Sequence, residues 1–194
     1  YNKVETPAIQ EDYNFRTPDK WVFSIAGIID RKAIISLDYQ LTNYKNGMRF
    51  RDYDSGSAFD YQNSYIKQDF RNASSVRVGA EVFFTPRVAG RVGYSWVHSP
   101  YNDNLKNNET IELSYRNTIP HYVVEGDAHY VTYGLGYKFT PNCYADLGFV
   151  MKFQNNSLYD FPKYYYADQG TGQVVQAVDN HKFTLKDQMF SGVI

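Results

Sequence analysis

The chain has 194 residues, a mass of 22.5 kDa and a formal net charge of −1, so it is one domain or part of one and offers no electrostatic case for a nucleic-acid partner. Aromatics make up 18%, with 19 Tyr and 13 Phe, while Leu is scarce; this strand-forming composition excludes a helical bundle and a disordered chain. The lone Cys143 excludes an internal disulfide, and no apolar run reaches the roughly 18 residues of a transmembrane helix.

The chain opens on Tyr1 rather than Met, so it is expected to be processed or cut. Residues 1–19 read as the tail of a long polar loop. A first hairpin is predicted from Lys20 to Tyr44, turning at Asp30-Arg31-Lys32. A loop over 45–72 follows. The second hairpin runs from Ser74 to His98 and turns at Thr85-Pro86-Arg87. After a loop over 99–128, the third runs from His129 to Phe153 and turns at Thr140-Pro141-Asn142. Pro presets φ at the first corner of such turns. A loop over 154–180 precedes a last strand, His181 to Ile194, whose alternation is poor enough to suggest a bulge that resets its phase.

Long loops alternating strictly with turns of about three residues, and strands of ten or more residues, point away from a soluble sandwich. Strands in soluble domains average about 5–6 residues, whereas a tilted membrane strand needs about 9–11. Outer-membrane barrels have short turns at one end and long loops at the other. The strands also alternate. Ala33, Ile35, Leu37, Tyr39 and Leu41 form one face of the second strand, and Ser36, Asp38, Gln40 and Thr42 form the other. The first strand is apolar on both sides and its phase is open. Trp21, Phe23, Tyr94, Trp96, Tyr130, Tyr133 and Phe153 fall toward the loop end, and Phe84, Tyr137 and Phe139 toward the turn end, as two interfacial girdles would.

The predicted fold is therefore all-β, an antiparallel transmembrane β-barrel. Seven strands do not close a bacterial single-chain barrel, which uses an even number, and open edges are not tolerated in lipid. Residues 1–194 are accordingly expected to be the C-terminal part of one larger barrel, with the N-terminal half as partner and outer-membrane lipid as surroundings. Asp38, Arg77, Glu81, Arg91, Lys138, Asp146 and Lys152 are expected to line the lumen as a mutually paired lattice, with Glu81 beside Arg91 across the turn at Pro86.

Several blocks resemble the FadL/TodX family of outer-membrane transport proteins, in the form met in Bacteroidetes and sometimes called hemin receptors. They are Thr17-Pro18-Asp19-Lys20-Trp21 through Leu37-Asp38-Tyr39-Gln40-Leu41-Thr42-Asn43-Tyr44; Val76-Arg77-Val78-Gly79-Ala80-Glu81 with Thr85-Pro86, Arg91-Val92-Gly93-Tyr94-Ser95 and Ser99-Pro100; and Tyr133-Gly134-Leu135-Gly136-Tyr137 with Thr140-Pro141 and Ala145-Asp146-Leu147-Gly148-Phe149. The resemblance covers residues 17 to about 155. It implies a fourteen-stranded barrel plugged by an N-terminal hatch, which takes up long-chain fatty acids or aromatic molecules across the outer membrane of a Gram-negative bacterium. The hatch and the strand kinked for lateral release belong to the half that precedes these blocks. No ligand-binding residue carries over.

The remaining candidates follow from residue type. Gly79, Gly93, Gly134, Gly136 and Gly148 leave space on the polar faces and are candidate ligand-path residues; Leu in place of Gly134 or Gly136 is expected to spare folding and stop uptake. Tyr159, Phe161, Tyr164, Tyr165 and Tyr166 are a candidate external capture surface for apolar ligands, or else a self-packed loop. His98 and His129 share parity with the lipid-facing set, which aims them at headgroup level without further metal or heme ligands, so no metal and no cofactor is expected. Ser95 and Ser99 flank His98, but no Gly-x-Ser-x-Gly or paired-acid signature accompanies them, and no enzyme is expected. A general porin-like or structural barrel and a soluble β-sandwich binding module are the alternative readings.

Overall fold

The computed structural model describes residues 13–52, 59–106, 121–160 and 163–194. Among these described residues twelve strands and three short helices follow one another: β1 Tyr13–Arg16, β2 Asp19–Ile29, β3 Ala33–Asn43, α1 Tyr44–Gly47, β4 Arg49–Asp52, α2 Asp60–Asp69, β5 Ala73–Thr85, β6 Val88–Val97, α3 Asp103–Lys106, β7 Tyr122–Val124, β8 Ala128–Thr140, β9 Cys143–Tyr159, β10 Tyr164–Ala167, β11 Val174–Val178 and β12 Lys182–Val193. Seven long strands make one antiparallel sheet in the order β12-β9-β8-β6-β5-β3-β2, and β7 adds a short pairing to the far end of β9. The edges β2 and β12 are open among the described residues. Among the described residues no helix is long and apolar enough to cross a membrane, which says nothing of strands.

The three predicted hairpins are present at the expected turns. Asp30 and Arg31 both take left-handed backbone conformations, with φ of 47° and 54°, and the turn closes through Lys32 N donating to Ile29 O. Positive φ at both central residues of the turn matches the right-handed twist of the flanking strands, and Ile29 pairs with Ala33 across the three turn residues. The Thr-Pro turns are built differently, and alike. Thr85 Oγ1 accepts from the amides of Arg87 and Val88, Thr140 Oγ1 accepts from the amide of Asn142, and each ladder shifts register just before its Thr.

Directly opposed residues in an antiparallel ladder share a face. Asp38 opposes Arg77, Arg77 opposes Ser95, Ser95 opposes Tyr130 and Tyr130 opposes Lys152. Glu81 opposes Arg91, Arg91 opposes Gly134, Gly136 opposes Asp146 and Lys138 opposes Tyr144. Ile35, Leu37, Val78, Val82, Val92, Leu135 and Leu147 occupy the opposite face, and all are exposed. Along β3 the pattern is inverted relative to a protein sheet in water: Ile35, Leu37 and Tyr39 are exposed, whereas Ser36, Asp38 and Gln40 are half-buried. Tyr133, Phe149 and Phe190 stack side by side across the apolar face, at 5.1 Å and 5.6 Å between ring centres. Such cross-strand aromatic pairs contribute about 0.2–1 kcal/mol each.

Four expectations change. Tyr130 opposes Lys152, so it belongs to the charged face and not to an aromatic girdle. The register places Trp21 and Phe23 on the apolar face, opposite Leu41 and Tyr39, which fixes the phase of β2. The ladder between β12 and β9 runs from Lys182 to Val193 without a shift, so no bulge resets β12. Its weak alternation is real: Leu185, Asp187 and Met189 lie on the charged face, and Lys186, Gln188 and Phe190 on the other. Finally, the loops are not structureless. β1 pairs with β4, α1 and α2 fill much of 45–72, β10 pairs with β11, and β9 continues to Tyr159, well past the expected loop start at 154.

The buried residues lie almost entirely at the loop end. Thr42, Ala73, Ser75, Ala128 and Asn156 are buried on the charged face there, joined by Ile66 of α2, Ser99, Val124 and Tyr159. The loops therefore pack over the outer end of that face, while most of the sheet is packed on neither side.

Candidate functional site

The charged face carries a central ion cluster. The Arg91 guanidinium donates through Nη2 to Glu81 Oε1 at 3.2 Å and through Nη1 to Asp146 Oδ1. β5, β6 and β9 supply the three residues, and Gly136 of β8 makes the bridge possible. A Cβ on Gly136 would stand 2.5 Å from Asp146 Oδ1 and 3.3 Å from Arg91 Nη1. The fork of an Arg suits two carboxylates at once, which a Lys would not.

The other predicted charges divide. Lys152 donates to Asp187 of β12 at 2.7 Å. Arg77 opposes Asp38 in the ladder, yet its guanidinium donates to Gln40 Oε1 at 3.3 Å. Asp38 and Lys138 form no ion pair with a described residue. Sequence reasoning missed Asp187, because Leu185 and Met189 on either side of it gave its face an apolar parity.

Small residues surround the cluster. Gly79 opposes Gly93, and Gly134 opposes Gly148. A recess of about 680 Å³ lies among Asp38, Arg77, Glu81, Arg91, Thr132 and Asp146. The glycines are not equivalent, which corrects the choice of Gly134 and Gly136 as positions where Leu is harmless to folding. A Cβ on Gly134 would stand 2.7 Å from the backbone oxygen of Leu147, and one on Gly136 would displace the ion pair. On Gly93 it would meet Thr132 Oγ1 at 2.5 Å and on Gly79 Ser36 Oγ at 3.1 Å; on Gly148 it would meet nothing within 4 Å. Gly134 is there for close approach, whereas Gly148 borders open space.

The external candidates also separate. Tyr159 is 2% exposed and its ring stacks on Tyr122 at 4.9 Å, so it offers no surface to a ligand. Burial pushes the Tyr122 hydroxyl well above the usual range of a tyrosine, with Tyr159 adding to the effect. Tyr166 in β10 is exposed; Tyr164 and Tyr165 precede it in the same strand, and Phe161 lies outside the described residues.

The His98 ring lies 5.2 Å from that of Trp96. It lies just past β6 and its Nδ1 is 3.1 Å from Asp127 Oδ2, which also accepts from Trp96 Nε1 at 3.3 Å, while Asp127 Oδ1 accepts from the Ser99 amide at 2.9 Å. Partial burial pushes the Asp127 carboxyl up, but the Ser99 amide and the His98 and Trp96 side chains outweigh it and hold the carboxyl below the usual range. Ser99 is fully buried and its hydroxyl donates to Glu125 O at 2.7 Å, which is not the setting of a nucleophile. His129 is on the apolar face, 2.7 Å from the Tyr94 hydroxyl. Among the described residues no three His, Cys, Asp or Glu side chains gather as metal ligands.

No family model matches the chain, and no curated protein matches it. Among solved structures it is similar to the crystal structure of a Pseudomonas aeruginosa FadL homologue, with 14% identity and a TM-score of 0.43. The match covers 90% of this chain and 34% of that one, so the chain spans about a third of the length of that protein.

Proposed function

We propose that the chain forms part of the wall of a FadL-like β-barrel in the outer membrane of a Gram-negative bacterium, and that the barrel takes up hydrophobic small molecules of the fatty-acid or aromatic type. It acts as a transporter and not as an enzyme. Outer-membrane lipid covers the apolar face, and the upstream part of the same barrel pairs with the open edges. The relation to Bacteroidetes members of the FadL/TodX family rests on the sequence blocks alone.

The observation that supports this reading is the two-sided sheet. Strands of 10 to 17 residues carry an exposed apolar face, and their other face holds a paired ion cluster beside glycines. Apolar surface left in water costs about 25 cal/mol per Å², so so broad an apolar face calls for lipid. Charges satisfied by one another can line a path for an apolar molecule, since unpaired ones there are costly.

Gly148→Leu tests the path. The side chain enters open space and spares the backbone, so the intact protein should still fold in the membrane. Its uptake of a fluorescent long-chain fatty acid should fall at least several-fold. Wild-type uptake would remove Gly148 from the ligand path. Ion conductance of the open-pore kind in the unmodified protein would favour a general porin.

A further inference from the structure

We infer that the external loops act as one latched cap over the outer end of the charged face, and that Asp127 is the latch. A continuous run of contacts joins segments far apart in sequence. Asn63 of α2 clasps β4, accepting from the Phe50 amide at 2.8 Å and donating to Phe50 O at 2.9 Å. At the far end of α2, the Asn102 amide donates to Asp69 O at 2.7 Å, and its side chain to Gln68 O at 2.9 Å. The Arg71 amide donates to Pro100 O at 2.8 Å and its Nε to Ser99 O at 3.1 Å, and the rings of Phe70 and Tyr101 meet at 5.4 Å.

The first loop is thus fastened to residues 99–102, which are fastened in turn to the return of the second loop. Three of the bonds that hold Trp96, His98 and Ser99 to that return end on the Asp127 carboxylate; the fourth is Ser99 Oγ to Glu125 O. The return is then tied to β9, where the Gly126 amide donates to Asn156 Oδ1 at 3.0 Å and Gln154 Nε2 donates to Gly126 O at 2.9 Å. Asp127 and Ser99 stand at the middle of this run. A carboxylate accepting three donors in a half-buried site is a strong tie, because hydrogen bonds to charged groups are worth more than neutral ones. The wall beneath has its own backbone ladders and does not depend on the latch.

Amide hydrogen exchange on the intact membrane-embedded protein reads this directly, whatever the barrel carries. Asp127→Ala should raise exchange roughly 10- to 100-fold in residues 68–71, 99–102 and 122–126 together, with the central amides of β5, β6 and β8 unchanged. Asp127→Asn, which keeps one acceptor oxygen, should show a smaller rise in the same three segments. A rise confined to residues 96–99 and 127 would overturn the inference. If Asp127→Ala also loosens the wall, Ser99→Ala decides. It removes the hydroxyl bond to Glu125 O and the weaker one that the hydroxyl accepts from the Tyr101 amide at 3.4 Å, leaves the Asp127 carboxylate in place, and should loosen the same three segments by less; an unchanged 68–71 segment would likewise overturn the inference.

Discussion

Val92→Arg should destabilise the intact protein in lipid by about 2–4 kcal/mol, the cost of a basic side chain on the lipid face of a barrel near the bilayer midplane. Val92 lies in the middle of β6, on the apolar face, and is 58% exposed. In a soluble protein a residue that open accepts Arg at little cost, and surface substitutions usually fall within about 0.5 kcal/mol. The two readings therefore differ by several kcal/mol at one position. Equilibrium unfolding from lipid vesicles in urea measures it, with Ser95→Arg on the charged face of the same strand as the comparison. Val92→Arg should shift the midpoint far more than Ser95→Arg. Equal shifts would mean that neither face is in lipid.

Arg91→Ala should cost about 1–3 kcal/mol, because it leaves Glu81 and Asp146 as two acids around a lost cation. The side chains are partly exposed in the structure, which keeps the figure below that of a fully buried ion pair. The triple variant Glu81→Gln, Arg91→Met, Asp146→Asn removes all three charges and should recover much of the loss. The same unfolding measurement checks both. A triple variant as unstable as the single one would show that the cluster acts by shape and not by charge.

Much of the sheet was legible because two independent signals agreed along it. Alternation fixed the faces of β3, β5, β6, β8 and β9, and Thr-Pro or Asp-Arg-Lys punctuation fixed the turns between them. The pairing of Glu81 with Arg91 follows from the same two signals, since a short turn with both residues five positions from Pro86 leaves little choice of register. β2 resisted because its residues are apolar on both faces, and only pairing with β3 decides between them. Asp187 was hidden by its apolar neighbours Leu185 and Met189, and Lys152 could not reveal it without the β9–β12 register.

The loops were opaque for a different reason. α2 is a mostly polar helix held by Asn63 and by its far-end contacts with residues 100–102, none of which leaves a periodic trace in sequence. Asp127 was invisible because its partners come from the far side of a long loop. Tyr159 read as a loop residue, yet it ends a 17-residue strand and is covered by Tyr122.

In a membrane barrel the apolar face of the sheet meets lipid and the charged face does not. Single cysteines from Ile34 to Leu41 in a Cys143→Ser background, each carrying a fluorophore, test it in the intact protein reconstituted in vesicles. Lipid-resident quenchers should reach positions 35, 37, 39 and 41 and spare 34, 36, 38 and 40, a period of two over eight residues. Aqueous quenching at all eight positions, with no response to the lipid-resident quencher, would mean that neither face of the sheet lies in lipid.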